Sequence, residues 1–197
     1  MEKIKNFFKN YLEKSSKLKI LGDVVFYLLI ISLLIPSTRT VLLRLTLFRP
    51  KIEAVEAAPV MKASEYQMIL ENLEGETVNL ADYSEKLVFI SFWATWCPPC
   101  RAEMPSIQKL YNSYGDKMAF FLITTEDRTK VENFLTEYEY NLPVYFQKSG
   151  SQGIFDISSY PTSFLISDKQ EILVQKKGAA DWNSKGFRKK LDDLIER

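Results

Sequence analysis

The stretch Phe92-Trp93-Ala94-Thr95-Trp96-Cys97-Pro98-Pro99-Cys100-Arg101-Ala102-Glu103-Met104-Pro105 holds both cysteines of a 197-residue chain and joins a strand-like run to a helix-like one. Leu87 to Trp93 is nearly unbroken apolar and β-prone, which predicts a strand covered on both faces in a parallel-type sheet, at the sheet centre. Pro98 suits the first position of a helix, where its missing N–H would have no partner in any case, so Cys97 falls at the helix mouth.

That placement makes a reactive thiol. The unpaired N–H groups and macrodipole of a helix start favour a thiolate by about 0.3 to 1 kcal/mol, at most about 2. At about 1.4 kcal/mol per pKa unit the dipole alone lowers a thiol pKa by roughly one unit. Donation from the Cys100 thiol to the Cys97 thiolate would add to the drop. In a C-x-x-C pair at a helix start the first sulfur is the exposed one and the second is shielded. Attack is therefore assigned to Cys97 and resolution of the mixed disulfide to Cys100. Two plainer readings are disfavoured. A closed zinc site needs four ligands, and the chain has two cysteines and no histidine. A two-residue loop constrains the unfolded chain too little to make a useful structural staple.

The segment Trp93 to Pro105 closely resembles the active-site segment of the thioredoxin superfamily, and specifically of the membrane-anchored TlpA and ResA-like thiol-disulfide oxidoreductases. The resemblance extends over about residues 60 to 197, because Tyr160-Pro161-Thr162 is similar to the family's cis-proline loop. It implies a cis peptide before Pro161 that exposes the Tyr160 backbone beside Cys97, so that a client segment can pair as an added strand. Trp96, Tyr160 and Pro161 are thus the candidate substrate-binding residues. It also implies a carboxyl near the thiols at Glu103, able to take the proton that Cys100 must lose. The plainer role for Glu103 is an acid in the first turn complementing the helix dipole. Ser91 stands where thioredoxin itself has a buried acid. Arg101 reads as a solvated helix residue.

Composition bounds the rest. The chain has 46% hydrophobic residues, enough for a real core, and a net charge of +1, which points to no nucleic acid. The lack of histidine excludes histidine acid–base chemistry, a Ser-His triad and histidine haem ligation. No cofactor or metal is expected.

Along the chain, residues 1–19 carry Lys3, Lys5, Lys9, Lys14, Lys17 and Lys19 against Glu2 and Glu13. The apolar segment Ile20 to Ile35 is read as a transmembrane anchor over 20–36, stopped by Pro36 and near the lower limit of length for crossing a bilayer. The lysine bias places the N-terminus in the cytoplasm. Asp23 belongs at the interface. Residues 37–60 form a membrane-proximal segment and linker. Within it Thr40 to Phe48 is either an interfacial helix or a continuation of the anchor, and Pro50 to Pro59 is the linker.

The domain proper is placed at 61–197. It is expected to open with a hairpin turning at Glu74-Gly75 and to continue through the central strand and active-site helix. That helix carries the stripe Met104, Ile107, Leu110, Tyr111 and Tyr114, is kinked at Pro105 and ends at Gly115. Strand Met118 to Thr124, a crossover helix with Val131, Phe134, Leu135 and Tyr138, strand Val144 to Phe146 and a helical turn in Ser151 to Ile157 come next. A hairpin around Asp168-Lys169-Gln170 and a closing helix with Phe187, Leu191, Leu194 and Ile195 complete an α/β thioredoxin-like sandwich: a central mixed sheet flanked by helices, preceded by the transmembrane helix.

The expected activity is reduction of protein disulfides on the extracytoplasmic, periplasmic side of the cytoplasmic membrane. A C-x-x-C as sole redox group, carried into an oxidising compartment, needs a membrane thiol-reductase donor to recharge it. The resemblance implies such a donor, and clients in cytochrome c maturation or a similar pathway. The alternatives are a protein-disulfide oxidant and a redox-inert, membrane-tethered binding module on the same fold. A peroxide reductase is disfavoured, since those enzymes set the peroxidatic cysteine in a different loop.

Overall fold

In the computed structural model the chain divides into two compact units, Met1–Leu42 and Leu43–Arg197, and residues 16–34, 67–149 and 153–196 are described. In the first unit the apolar segment forms one helix, α1 (Lys17–Leu34). Lys17, Lys19 and Asp23 occupy its first two turns, and no helix among the described residues is long and apolar enough to cross a membrane. The lysines before Lys17, the Thr40 to Phe48 run and the Pro50 to Pro59 linker lie outside the described residues.

The second unit opens with a hairpin of β1 (Ile69–Asn72) and β2 (Thr77–Asn79), with Leu70 opposite Val78. Gly75 turns it at φ +88°, a region that favours glycine. A 3-10 turn, Leu80–Tyr83, leads to β3 (Val88–Phe92), and then come α2 (Pro98–Tyr114) and β4 (Ala119–Thr124). After α3 (Arg128–Glu137) and β5 (Val144–Ser149), a second 3-10 turn, Gly153–Phe155, leads into β6 (Thr162–Ile166). Strand β7 (Ile172–Lys177) and α4 (Lys185–Ile195) close the unit.

The sheet order is β2-β1-β5-β4-β3-β6-β7. Strands β3, β4 and β5 run parallel, and β6 returns antiparallel beside β3. The middle strand is therefore β4, and β3 stands one place from the centre rather than at it. The reason is that β4, β5 and the opening hairpin β1–β2 all lie on one side of β3, and only β6 and β7 on the other. The steps β3 to β4 and β4 to β5 advance in one direction, and right-handed crossovers then put α2 and α3 on the same face. Residues of α2, α3 and α4 join Phe89, Phe120, Leu122, Val144 and Leu165 in one core layer. The other layer is built from Val88, Ile90, Phe92, Phe121, Ile123 and Phe164 under Leu80 and Phe155. Flanking by helices is thus one-sided among the described residues, with short turns covering the second face.

Two local expectations take a different form. Helix α2 continues without interruption through Pro105. Gly115 does cap it, but in the right-handed region: a Cβ there would lie 2.8 Å from the Tyr111 carbonyl oxygen, so close approach selects the glycine.

Candidate active site

Cys97 is the N-cap of α2, with Pro98 at the first helical position. Its Sγ accepts a hydrogen bond from the Cys100 N–H at 3.3 Å, which is the local helix-start field acting on sulfur. The two cysteines form a disulfide with Cα atoms 5.3 Å apart. Cys97 is 3% exposed and Cys100 0%, so in this oxidised state the first sulfur is covered almost as fully as the second. Trp93 belongs to the same core layer as the two cysteines and is fully buried against Phe134 with ring centres 5.4 Å apart.

The approach to the disulfide is aromatic. Trp96 is 67% exposed and meets the Tyr160 ring edge-on at 6.0 Å. The Tyr160-Pro161 peptide is cis. Thr162 Oγ1 donates to the Ser159 carbonyl at 2.8 Å, and the Gly178 N–H donates to the Pro161 carbonyl at 2.8 Å, so both ends of this loop are held.

Glu103 lies one turn beyond Cys100 and is 1% exposed. Its Oε2 accepts from the Trp182 indole Nε1–H at 3.0 Å and from the Ala180 N–H at 3.1 Å. Its Oε1 receives a longer contact, 3.5 Å, from the Ser91 hydroxyl, and Ser163 donates to Ser91 at 3.0 Å. Ser91 and Ser163 are directly opposed across the β3–β6 pairing. Burial pushes the Glu103 carboxyl up to about 8, against the three donors, which pull it down. A carboxyl in that range changes protonation near neutral pH, as proton transfer to or from a thiol requires. Where β3 carries Ser91, the buried carboxyl comes from the helix residue resting on that serine.

The remaining residues frame this centre. Thr95, in the loop before Cys97, is held through its N–H and its hydroxyl by the Glu126 carboxylate, the hydroxyl bond being 2.9 Å. Arg101 is not free in solvent: it donates to the Tyr138 hydroxyl and lies over the Tyr138 ring at 5.1 Å. Glu126, Ser163, Ala180 and Trp182 were not singled out by the sequence. Glu126 follows the carboxyl end of a parallel strand next to the site strand, where functional side chains gather in α/β sheets, and that signal was available. Trp182 carried none, because a lone tryptophan after a terminal strand reads as core.

Fold and site together define a thioredoxin-like domain built for thiol–disulfide exchange. The chain belongs to the AhpC/TSA family, whose profile matches residues 56–175. It is similar to the thioredoxin-like protein YneN of Bacillus subtilis (strain 168), 34% identical over 127 residues that span 62% of this chain and 74% of that one. It is also similar to the thiol-disulfide oxidoreductase ResA of Bacillus thuringiensis subsp. konkukian, 35% identical over 113 residues. That match covers 56% of this chain and 65% of ResA, just under two thirds of the relative's length. Among solved structures it is similar to the pneumococcal exposed lipoprotein thioredoxin Etrx1 of Streptococcus pneumoniae strain TIGR4. There the identity is 25% and the TM-score 0.50, over 66% of this chain and 98% of Etrx1. The domain is a thiol-disulfide oxidoreductase.

Proposed function

We propose that this protein reduces disulfides of extracytoplasmic proteins while tethered to the cytoplasmic membrane through α1. The observation that carries the redox reading is the Cys97–Cys100 disulfide at the start of α2, with the Glu103 carboxyl one turn further on. In the reduced enzyme the Cys97 thiolate attacks one sulfur of a client disulfide, forming a mixed disulfide and expelling the first client thiolate. Cys100 then gives its proton to the Glu103 carboxylate, and its thiolate attacks Cys97 Sγ. The mixed bond breaks, the Cys97–Cys100 disulfide forms, and the second client thiolate leaves. Two electrons have moved to the client. A membrane thiol donor returns them, completing the cycle.

The extended client segment lies against Trp96, Tyr160 and Pro161 by strand addition, as the exposed indole of Trp96 and its edge-on contact with Tyr160 support. Clients of the cytochrome c maturation type follow from the resemblance to TlpA and ResA-like proteins. The tether rests on α1, where Val24, Phe26, Leu28 and Ile31 are all exposed and need an apolar surrounding.

The test is direct. The full chain in detergent, supplied with a dithiol, should reduce insulin disulfides, and Cys97→Ser should not. Wild type no more active than Cys97→Ser would favour the binding-module alternative. Equilibration with glutathione fixes direction, because known C-x-x-C couples span about -270 to -120 mV and every ~30 mV is about 1.4 kcal/mol. A value near -120 mV would favour an oxidant. Retention of the protein in membranes washed with alkaline carbonate checks the tether.

A further inference from the structure

Two tryptophans are fully buried on the α2 side of the sheet, and their indole N–H groups meet different fates. The Trp93 Nε1–H has no hydrogen-bond partner among the described residues. The Trp182 Nε1–H points at Glu103 Oε2. An indole N–H is a donor only, so its direction carries information. Trp182 is also fixed at three further points. Its ring stands edge-on to Phe89 at 5.0 Å and to Phe187 at 5.2 Å, and its backbone N–H donates to Ser106 Oγ at 3.2 Å. Ser106 in turn donates to the Glu103 carbonyl at 2.8 Å, so the loop between β7 and α4 and the second turn of α2 are fastened to each other around the carboxyl. A side chain held so rigidly presents its donor to Oε2 with little entropy left to lose.

We propose that Trp182 is a positioning residue of the redox site, whose indole N–H sets the proton affinity of Glu103 and with it the pH at which Cys100 is activated. The second half of this statement rests on the reading of Glu103 as proton acceptor for Cys100. Hydrogen bonds to the ionised form of an acid favour that form, so the Trp182 and Ala180 donors oppose the effect of burial. The groups facing the carboxyl are Ser91 on β3, Ser163 behind it on β6, and Ala180 and Trp182 on the loop, while Cys100 precedes it by three residues on the same helix. The surrounding elements carry many charges, among them Arg101 and Lys109 on α2, Lys176 and Lys177 on β7, Asp181 on the loop and Lys190 on α4, and no neighbouring charge is among the influences on Glu103. Trp182 is the side-chain donor of largest effect, so its removal has no charge to hide behind.

The experiment uses the full chain in detergent. The indole N–H resonance of Trp182 is followed by nitrogen–proton correlation NMR from acid to alkaline pH, in wild type and in Glu103→Gln. The resonance should titrate near pH 8 in wild type and stay constant in the variant. In parallel, reduced protein is mixed with dithiobis-nitrobenzoate in a stopped flow, where the second chromophore equivalent reports attack by Cys100. That rate should rise through the same pH in wild type. In Trp182→Phe the rise should move upward by about one pH unit, the loss of one donor to a carboxylate. An indole resonance indifferent to pH in wild type overturns the proposal, whether or not Trp182→Phe folds. So does a Trp182→Phe profile that coincides with wild type. If the resonance behaves as expected but Glu103→Gln leaves the rate profile unmoved, the bond to Trp182 stands and the role of Glu103 as proton acceptor falls.

Discussion

Away from α2, strands β3 and β6 present Val88, Ile90, Phe92, Phe164 and Ile166 to an apolar layer; towards α2 the same strands present Ser91 and Ser163 beneath a buried carboxyl. Both sides are equally dry. Each large apolar side chain on the first side stabilises the fold by about 1.5 to 3 kcal/mol. On the second side, burial of Glu103 works against the fold whenever the carboxyl must ionise. One β-sheet thus packs both faces with apolar side chains, and on one of them also carries a destabilising buried carboxyl, the group proposed to take the Cys100 proton.

The largest effect expected is on turnover. Cys97→Ser should lower insulin reduction to the background of the dithiol alone. Cys100→Ser should instead accumulate a Cys97 mixed disulfide with the client, visible on a non-reducing gel. A Cys100→Ser protein that formed no adduct would reverse the assigned order of the sulfurs.

The next effect separates the two faces by pH. Glu103 has its folded pKa raised to about 8 from an unfolded value of 4.5. Below 4.5 the carboxyl is protonated in both states and costs nothing. Between the two values the unfolded chain ionises and the native one resists, so native stability falls as pH rises, and above about 8 the deficit is constant. At about 1.4 kcal/mol per unit it reaches roughly 5 kcal/mol. Glu103→Gln in the oxidised protein should therefore be close to neutral at pH ~4 and strongly stabilising at pH ~9, read from urea midpoints. Equal effects at both pH values would show that the carboxyl is not raised.

Ile90→Ala, on the opposite face, should cost about 2 to 5 kcal/mol at either pH and leave the pH profile of activity unchanged. Smaller again is Glu126→Gln. One acceptor for Thr95 is lost, worth about 1 kcal/mol, and the effect should be read as faster amide exchange in the Ala94 to Trp96 loop rather than as lost stability. Least of all, Tyr138→Phe removes the hydroxyl that accepts from Arg101 while keeping the ring beneath it, and should change stability by about 0.5 kcal/mol. A larger change would place the Arg101–Tyr138 contact among the supports of the site.

Most elements were legible because their patterns are local. Leu87 to Trp93 is apolar at every position but Ser91, and it became β3; Val131, Phe134 and Leu135 at helical spacing became buried positions of α3. The hairpin turned where Gly75 required it. The one-sided placement of the helices was not legible, since it follows from the direction in which successive crossovers advance. Nor was the packing of Arg101 on Tyr138, which joins residues 37 positions apart.

By itself the sequence determined the chemistry available: two sulfurs at a helix start, no histidine, and an acid three residues on, all set by covalent spacing and the fixed pitch of a helix. Only the tertiary structure decided the state of that acid. Its proton affinity depends on being dry and on donors from Ser91, Ala180 and Trp182, which lie 12, 77 and 79 residues away and meet it only when β3, α2 and the last loop close on one another. Desolvation and hydrogen-bond direction are properties of that enclosure, and no local pattern of residues encodes them.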